Sequence, residues 1–226
     1  MQEQVLELLS ARKGHFLLES GHHGDLWLDL ESLCLHPRRV QSIAAELAEP
    51  LSKLEVDAVC GPLVDGAFVG LIVALLLNVQ FTYSERFARP EGGLFPAGYR
   101  VPAPLREKLR GKRVAIVNDV INAGSAMRGT FADLQSCGAV VVGIGTLLVL
   151  GTAAFAFAAS KGVPLQSVAT LSNNLWTPSE CPLCAAGVPL QDIAEFAVTL
   201  PTQGASGAAL GGILSRAGSD DIGRFE

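Results

Sequence analysis

The sequence predicts an α/β protein built on a central, mostly parallel sheet flanked by helices. Three observations lead to that class. First, Val114 to Val117 is an unbroken apolar run, and Val56 to Cys60 reads as a second such strand; strands without alternation are those buried on both faces, as in a sheet covered by helices. Second, both runs end in turns of small residues, Gly61-Pro62-Leu63-Val64-Asp65-Gly66 and Asn122-Ala123-Gly124-Ser125, and a helical pattern follows each. Third, Gly138 to Ser160 carries no charge over 23 residues. That length meets the criterion for a membrane span. The β-branched series Val140 to Val142 and the breaks at Gly143, Gly145 and Gly151 instead indicate a parallel strand followed by a packed helix.

Length and charge bound the function. A chain of 226 residues suffices for one sizeable α/β domain. The formal net charge of −5, without a lysine-arginine cluster, argues against a nucleic-acid surface. Five cysteines are an odd number, and the first residues, MQEQVLELLS, lack the basic region of a signal peptide. A reduced, cytoplasmic setting is expected, with no membrane partner.

The elements follow in order. Gln2 to Ala11 places Val5, Leu8 and Leu9 on one helical face. The alternations Phe16/Leu18 and Leu26/Leu28/Leu30 predict two strands joined by the turn Ser20 to Asp25. Within that turn His22 and His23 are adjacent, and strand neighbours point oppositely, so one metal cannot readily take both; a turn histidine touching solvent or backbone is expected, with pocket contact by one of them as the alternative. A helix covers Arg38 to Leu51. Ala67 to Asn78 is an almost wholly apolar helix, expected to be sandwiched. Gln80 to Ser84 is a third strand. Glu85 to Arg100, with two prolines and three glycines, reads as a mobile loop or hairpin carrying Arg86, Arg89 and Arg100. Ala139 to Leu150 and Leu165 to Leu171 are later strands.

The residues Val114 to Ala126, VAIVNDVINAGSA, carry the chemistry. An apolar strand runs into Asn118-Asp119 and then into the small-residue bend. The helix beyond it has Met127, Phe131 and Leu134 at helical spacing, with Arg128 and Asp133 able to face water. Small residues let backbone N–H groups approach an anion, and the helix N-terminus adds partial positive charge. A carboxylate just before the bend can hold a sugar hydroxyl or a metal ion. Together these parts describe a sugar-phosphate site.

This stretch resembles the type I phosphoribosyltransferases, in which an apolar strand, two acidic residues and a Thr-Ala-Gly-Thr-like loop follow in this order. Asn118 stands where the first acid is expected, and Asn122 where the loop threonine is. The resemblance implies the type I phosphoribosyltransferase fold and magnesium-dependent transfer of ribose 5-phosphate from phosphoribosyl pyrophosphate (PRPP) to a nucleobase. Mg2+ is carried by the PRPP. Asn118 and Asp119 would then contact the ribose, and Asn122, Ala123, Gly124, Ser125 and Ala126 the 5-phosphate. Gly61, Pro62 and Gly66 would face pyrophosphate, helped by Arg86 and Arg89 from the 85–100 loop. Asp119 and Arg86 are the candidate catalytic residues.

Other segments extend the likeness to orotate phosphoribosyltransferases. Gly14 to Leu33 is similar to the amino-terminal hood that covers their base pocket. Trp176 to Leu190 is similar to a Cys-Pro-Leu-Cys segment of some bacterial members. The implied organisation is a single domain over 1–200, with a small hood subdomain from 1–35 and part of 165–200, a core over 36–165, and a flexible tail over 201–226. A homodimer is also implied. Three groups of the orotate pattern are absent: the first acid, a loop lysine, and a base-reading arginine, whose place Val149-Leu150 occupy. Orotate is the expected base; another base, or a catalytically weak regulatory binder of PRPP, is the alternative. No protein-held metal is expected. The pair Cys181 and Cys184 could suggest zinc but lacks a second ligand pair, and Cys34, Cys60 and Cys137 lie on separate elements. A structural turn or occasional disulfide is the reading for that segment.

Overall fold

The computed structural model describes residues 1–17, 22–88 and 97–192. The expected 201–226 tail, Arg89 and most of the turn before His22 lie outside those residues.

Helix α1 (Gln2–Leu8) leads into β1 (Arg12–Leu17) and β2 (His23–Trp27), followed by α2 (Pro37–Ser52). Then come β3 (Ala58–Pro62), α3 (Asp65–Leu77), β4 (Gln80–Ala88), β5 (Ala97–Arg100) and the short α4 (Ala103–Arg106). The central motif supplies β6 (Arg113–Ile121) and α5 (Ser125–Ser136), with β7 (Val140–Leu150), α6 (Ala153–Lys161) and β8 (Leu165–Leu171) after them. Last are β9 (Leu175–Trp176), α7 (Pro182–Ala185) and β10 (Gln191–Asp192). Two sheets result, a six-stranded one in the order β5-β4-β3-β6-β7-β8 and a four-stranded one in the order β10-β1-β2-β9. All neighbours in the larger sheet are parallel except β4 and β5.

The expected α/β class is borne out, and burial explains it. Val114, Ala115, Ile116 and Val117 are all fully buried, because each face of the sheet has its own apolar layer. One layer gathers Val5 and Leu9 of the α1 region, Val40, Ile43, Leu47 and Leu51 of α2, and Val69 and Val73 of α3. The other gathers Met127, Phe131 and Leu134 of α5 with Ala154 and Ala158 of α6. In α2 the spacing of Val40, Ile43, Leu47 and Leu51 makes one apolar stripe, and Pro37 opens the helix where its missing N–H costs nothing.

Several expectations are corrected. Strand β6 does not stop at Val117; it continues through Asn118 and Asp119 to Ile121, because β7 pairs with it along that length. The uncharged run Gly138 to Ser160 supplies β7 and most of α6, and among the described residues no helix is long and apolar enough to cross a membrane. Helix α3 is not sandwiched: Phe68, Leu71 and Leu75 are 45%, 51% and 73% exposed. A helix apolar all round hides only the side that meets the sheet. Asp133 does not face water either. It accepts two hydrogen bonds from Arg106, at 2.8 and 2.9 Å, and one from the Val101 amide at 2.7 Å. This pairing raises the Arg106 pKa and ties the segment after β5 to α5.

Candidate active site

Two strand-to-helix bends meet at the carboxyl ends of β3 and β6. The first bend, Gly61 to Gly66, is closed tightly by its glycines. A Cβ on Gly61 would lie 2.5 Å from the Gly66 carbonyl oxygen and 2.6 Å from Ala67 Cα. Gly66 in turn faces the Asn118 side-chain oxygen so closely that no side chain fits between them. Asn118 is held by its amide, which donates to the Val120 carbonyl at 2.9 Å. Gly61, Pro62, Gly66 and Asn118 are therefore brought together.

The second bend turns β6 into α5. Gly124 sits at φ 79°, a left-handed conformation that a side chain disfavours, and it is the N-cap of α5. Its carbonyl accepts the Arg128 amide at 2.8 Å. Ser125 and Ala126 open the helix, where N–H groups have no intrahelical acceptor and the dipole favours an anion. Met127, fully buried, anchors this turn in the core. Arg128 spans the outside of the bend: its Nε lies 3.4 Å from the Ala123 carbonyl and its Nη2 3.3 Å from that of Ala153. Its guanidinium also stacks 4.5 Å from the Phe157 ring.

Asp119 is buried at 7% exposure within β6, not at the edge of a loop. Its backbone carbonyl accepts the Thr146 hydroxyl at 2.9 Å, which fixes the strand at this residue. Arg86 is exposed on β4 opposite Tyr99. The expected hairpin is present as β4 and β5, and Tyr99 covers Gly129 of α5, where an added Cβ would come within 3.0 Å of its ring. The Ser84 and Thr130 hydroxyls, 2.6 Å apart and buried, join β4 to the same helix.

Three polar links were not visible in the sequence. Asn122 accepts from the Asn173 amide at 2.8 Å, and Asp25 accepts from Asn174 at 2.7 Å. These neighbouring asparagines thus touch the second bend and strand β2 of the smaller sheet. Arg128 is the third. The two asparagine links leave no local sequence signal, because their partners lie 51 and 149 positions away, whereas Arg128 joins Ala123, five residues back, to Ala153.

A second cluster lies in the smaller sheet. His15, His23, Cys181 and Cys184 place one ligand atom each within 4.8 Å of one another. The expectation that the Cys-x-x-Cys has no second ligand pair is corrected here, since two histidines supply it. His23 is also not a turn residue: it opens β2 and is buried, whereas His22 is exposed.

Comparison with known proteins agrees with this geometry. A family model described as the phosphoribosyl transferase domain matches residues 31–170. The orotate phosphoribosyltransferase of Caldanaerobacter subterraneus subsp. tengcongensis is 30% identical over 195 residues, covering 84% of this chain and 95% of that protein. The enzyme of the same name from Thermotoga maritima is 30% identical over 194 residues, covering 84% and 96%. The crystal structure of orotate phosphoribosyltransferase from Aeropyrum pernix superposes with a TM-score of 0.61 at 26% identity, covering 76% of this chain and 94% of that one. Matched by that family model over residues 31–170 and by these relatives over most of its length, the chain belongs to the phosphoribosyltransferase family of pentosyltransferase enzymes.

Proposed function

We propose that this chain transfers ribose 5-phosphate from PRPP to a ring nitrogen of orotate, forming orotidine 5'-phosphate and releasing pyrophosphate. The observation that carries the reading is the bend at Asn122 to Ala126, where left-handed Gly124 begins α5 without a side-chain cap and Asn122, Ala123 and Ser125 are exposed just after the end of β6. A phosphate monoester suits such a bend because backbone donors and the helix dipole act together. Orotate is favoured as the base because the relatives of that name align along nearly their whole length.

Little covalent work falls to the protein in this reaction. The base attacks C1 of the ribose as pyrophosphate departs, and positioning with charge stabilisation sets the rate. The 5-phosphate takes the second bend, with Ser125 assisting. Asp119 holds a ribose hydroxyl or the developing positive charge, and Asn118 lines the ribose as a neutral amide. Gly61, Pro62 and Gly66 present backbone to pyrophosphate, and Arg86 with Arg89 offsets its charge. Magnesium enters as part of the donor complex rather than as a resident ion. The exposed stripe Phe68, Leu71 and Leu75 on α3 supports a homodimer as the working form.

The test is pyrophosphate release from magnesium and PRPP against orotate, uracil, adenine and guanine, with sedimentation to weigh the particle. Turnover with orotate alone is expected. Turnover with a different base overturns the assignment of orotate, and no turnover with any base overturns the transferase reading.

A further inference from the structure

We propose that His15, His23, Cys181 and Cys184 bind one zinc ion that clamps the two ends of the described chain together. The inference is independent of the transferase reading, because it concerns the smaller sheet and is tested without catalysis.

The geometry is that of four ligands around an ion. Tetrahedral zinc, with Zn–S of about 2.3 Å and Zn–N of about 2.0 Å, sets its ligand atoms about 3.3–3.8 Å apart. Here His15 Nε2 lies 3.1 Å from His23 Nδ1, 3.3 Å from Cys181 Sγ and 3.7 Å from Cys184 Sγ, and Cys184 Sγ lies 3.3 Å from His23 Nδ1. Two thiolates and two imidazoles in this arrangement suit zinc better than magnesium or calcium, which prefer oxygen.

The tautomer of His15 agrees. Its Nδ1 is 2.8 Å from the Val188 carbonyl, which can only accept, so Nδ1 carries the proton. Nε2 of the neutral ring is then a lone pair, aimed at three other ligand atoms. A backbone carbonyl behind a ligating histidine is the usual second support of a zinc site. Hydrogen bonds alone satisfy the group poorly, since one lone pair accepts one proton while three partners crowd it. His15, His23 and Cys181 are 1%, 5% and 4% exposed, so unmet polar atoms here are costly. Cys184 is exposed and leaves a way in for the ion.

Local structure delivers the ligands. The register of β1 against β2 shifts between Lys13 and Phe16, and this irregularity re-aims His15. His23 pairs with Trp176 of β9, which leads toward the cysteines. Cys181 immediately precedes α7, and its carbonyl accepts the Ala185 amide at 3.2 Å, closing a tight knuckle around Cys184. Strands β9 and β10 are only two residues each. Sheets that small lack the buried area to hold themselves, and a metal tie is the common remedy. Binding releases the two thiol protons to solvent as the thiolates take the ion.

The experiment measures metal in the full chain, purified under reducing conditions from zinc-supplemented cells and dialysed. About one zinc per chain is expected. Cys184→Ser and His15→Ala should each lose most of it, while Cys34→Ser keeps it. Should either variant fail to fold, cobalt substitution of the parent decides: tetrahedral cobalt with sulfur ligands shows intense visible bands, and chelation should abolish them and lower the melting temperature. A parent chain that takes up neither zinc nor cobalt overturns the proposal. So does a Cys181–Cys184 disulfide under reducing conditions, or metal that survives both substitutions.

Discussion

Gly61→Ala tests whether the first bend is as tight as the structure has it. The added Cβ meets three backbone atoms of the Gly66–Ala67 peptide, 2.5 Å from the Gly66 oxygen, 2.6 Å from Ala67 Cα and 2.9 Å from the Ala67 nitrogen. Ordinary contact begins near 3.5 Å, so the end of β3 and the start of α3 must part by roughly 1 Å. None of these atoms can rotate away. Overpacking of this kind costs about 1–3 kcal/mol, and for a chain of this size each kcal/mol lowers the melting temperature by about 2–4 °C. A fall of about 2–12 °C is expected by scanning calorimetry. PRPP affinity should fall about ten- to a hundredfold in titration calorimetry, since a displacement of that size misplaces the pyrophosphate contacts. Gly143→Ala is the matched control. Its Cβ also meets an atom at 2.5 Å, but that atom is Cδ1 of Leu54, the free end of a side chain. It should cost less than about 1 kcal/mol and leave PRPP affinity unchanged. Equal stability and affinity for Gly61→Ala and the parent would refute the reasoning, as would a larger loss for Gly143→Ala.

Other expectations follow from the same geometry. Asp119→Asn removes one charged hydrogen-bond partner, worth about 1.5–3 kcal/mol, so PRPP should bind about ten- to a hundredfold more weakly by calorimetry. Unchanged affinity would show that Asp119 does not hold the donor. Asp133→Ala strands Arg106 and the Val101 amide; allowing for their partial exposure, the urea midpoint should report a loss of about 2 kcal/mol. Burial raises the pKa of the Cys60 thiol, with nearby Asp133 adding to it, and burial likewise raises that of Cys137. Both should therefore resist iodoacetamide at mildly alkaline pH in the folded protein and react on unfolding, as read by mass spectrometry. Rapid labelling of Cys60 in the native state would contradict the packing.

What the sequence disclosed depended on the range of the interaction behind it. The run Val114 to Val117 announced a doubly covered strand because burial on both faces leaves a local mark. Leu165 to Leu171 was legible as β8 as well, although that strand lies at the sheet edge and only Ala169 in it is buried. The bend at Gly124 was legible too, since a positive φ is met most cheaply by glycine. Strand β6 was read as ending too early because Asn118 and Asp119 look like loop residues; pairing with Thr146 and its neighbours, far along the chain, overrides that preference. The open side of α3 could not be inferred, because a uniformly apolar helix does not say which faces are covered. Asp133 looked like a solvent residue until its partners Arg106 and Val101 were placed. The four-residue cluster of histidine and cysteine was hidden for the same reason. His15 and the Val188 carbonyl that orients it are 173 positions apart.

That separation bears on how the molecule is made. Strand β1 takes its partner β10 in parallel register, Phe16 opposite Gln191, so one edge of the smaller sheet is absent until residues 191 and 192 have left the ribosome. The larger sheet joins neighbours much closer in sequence and can assemble during synthesis, whereas loops this long close slowly. Until then His15 and His23 wait at the amino end with their sulfur partners still unmade, and the small sheet is the last piece of the described fold to be completed.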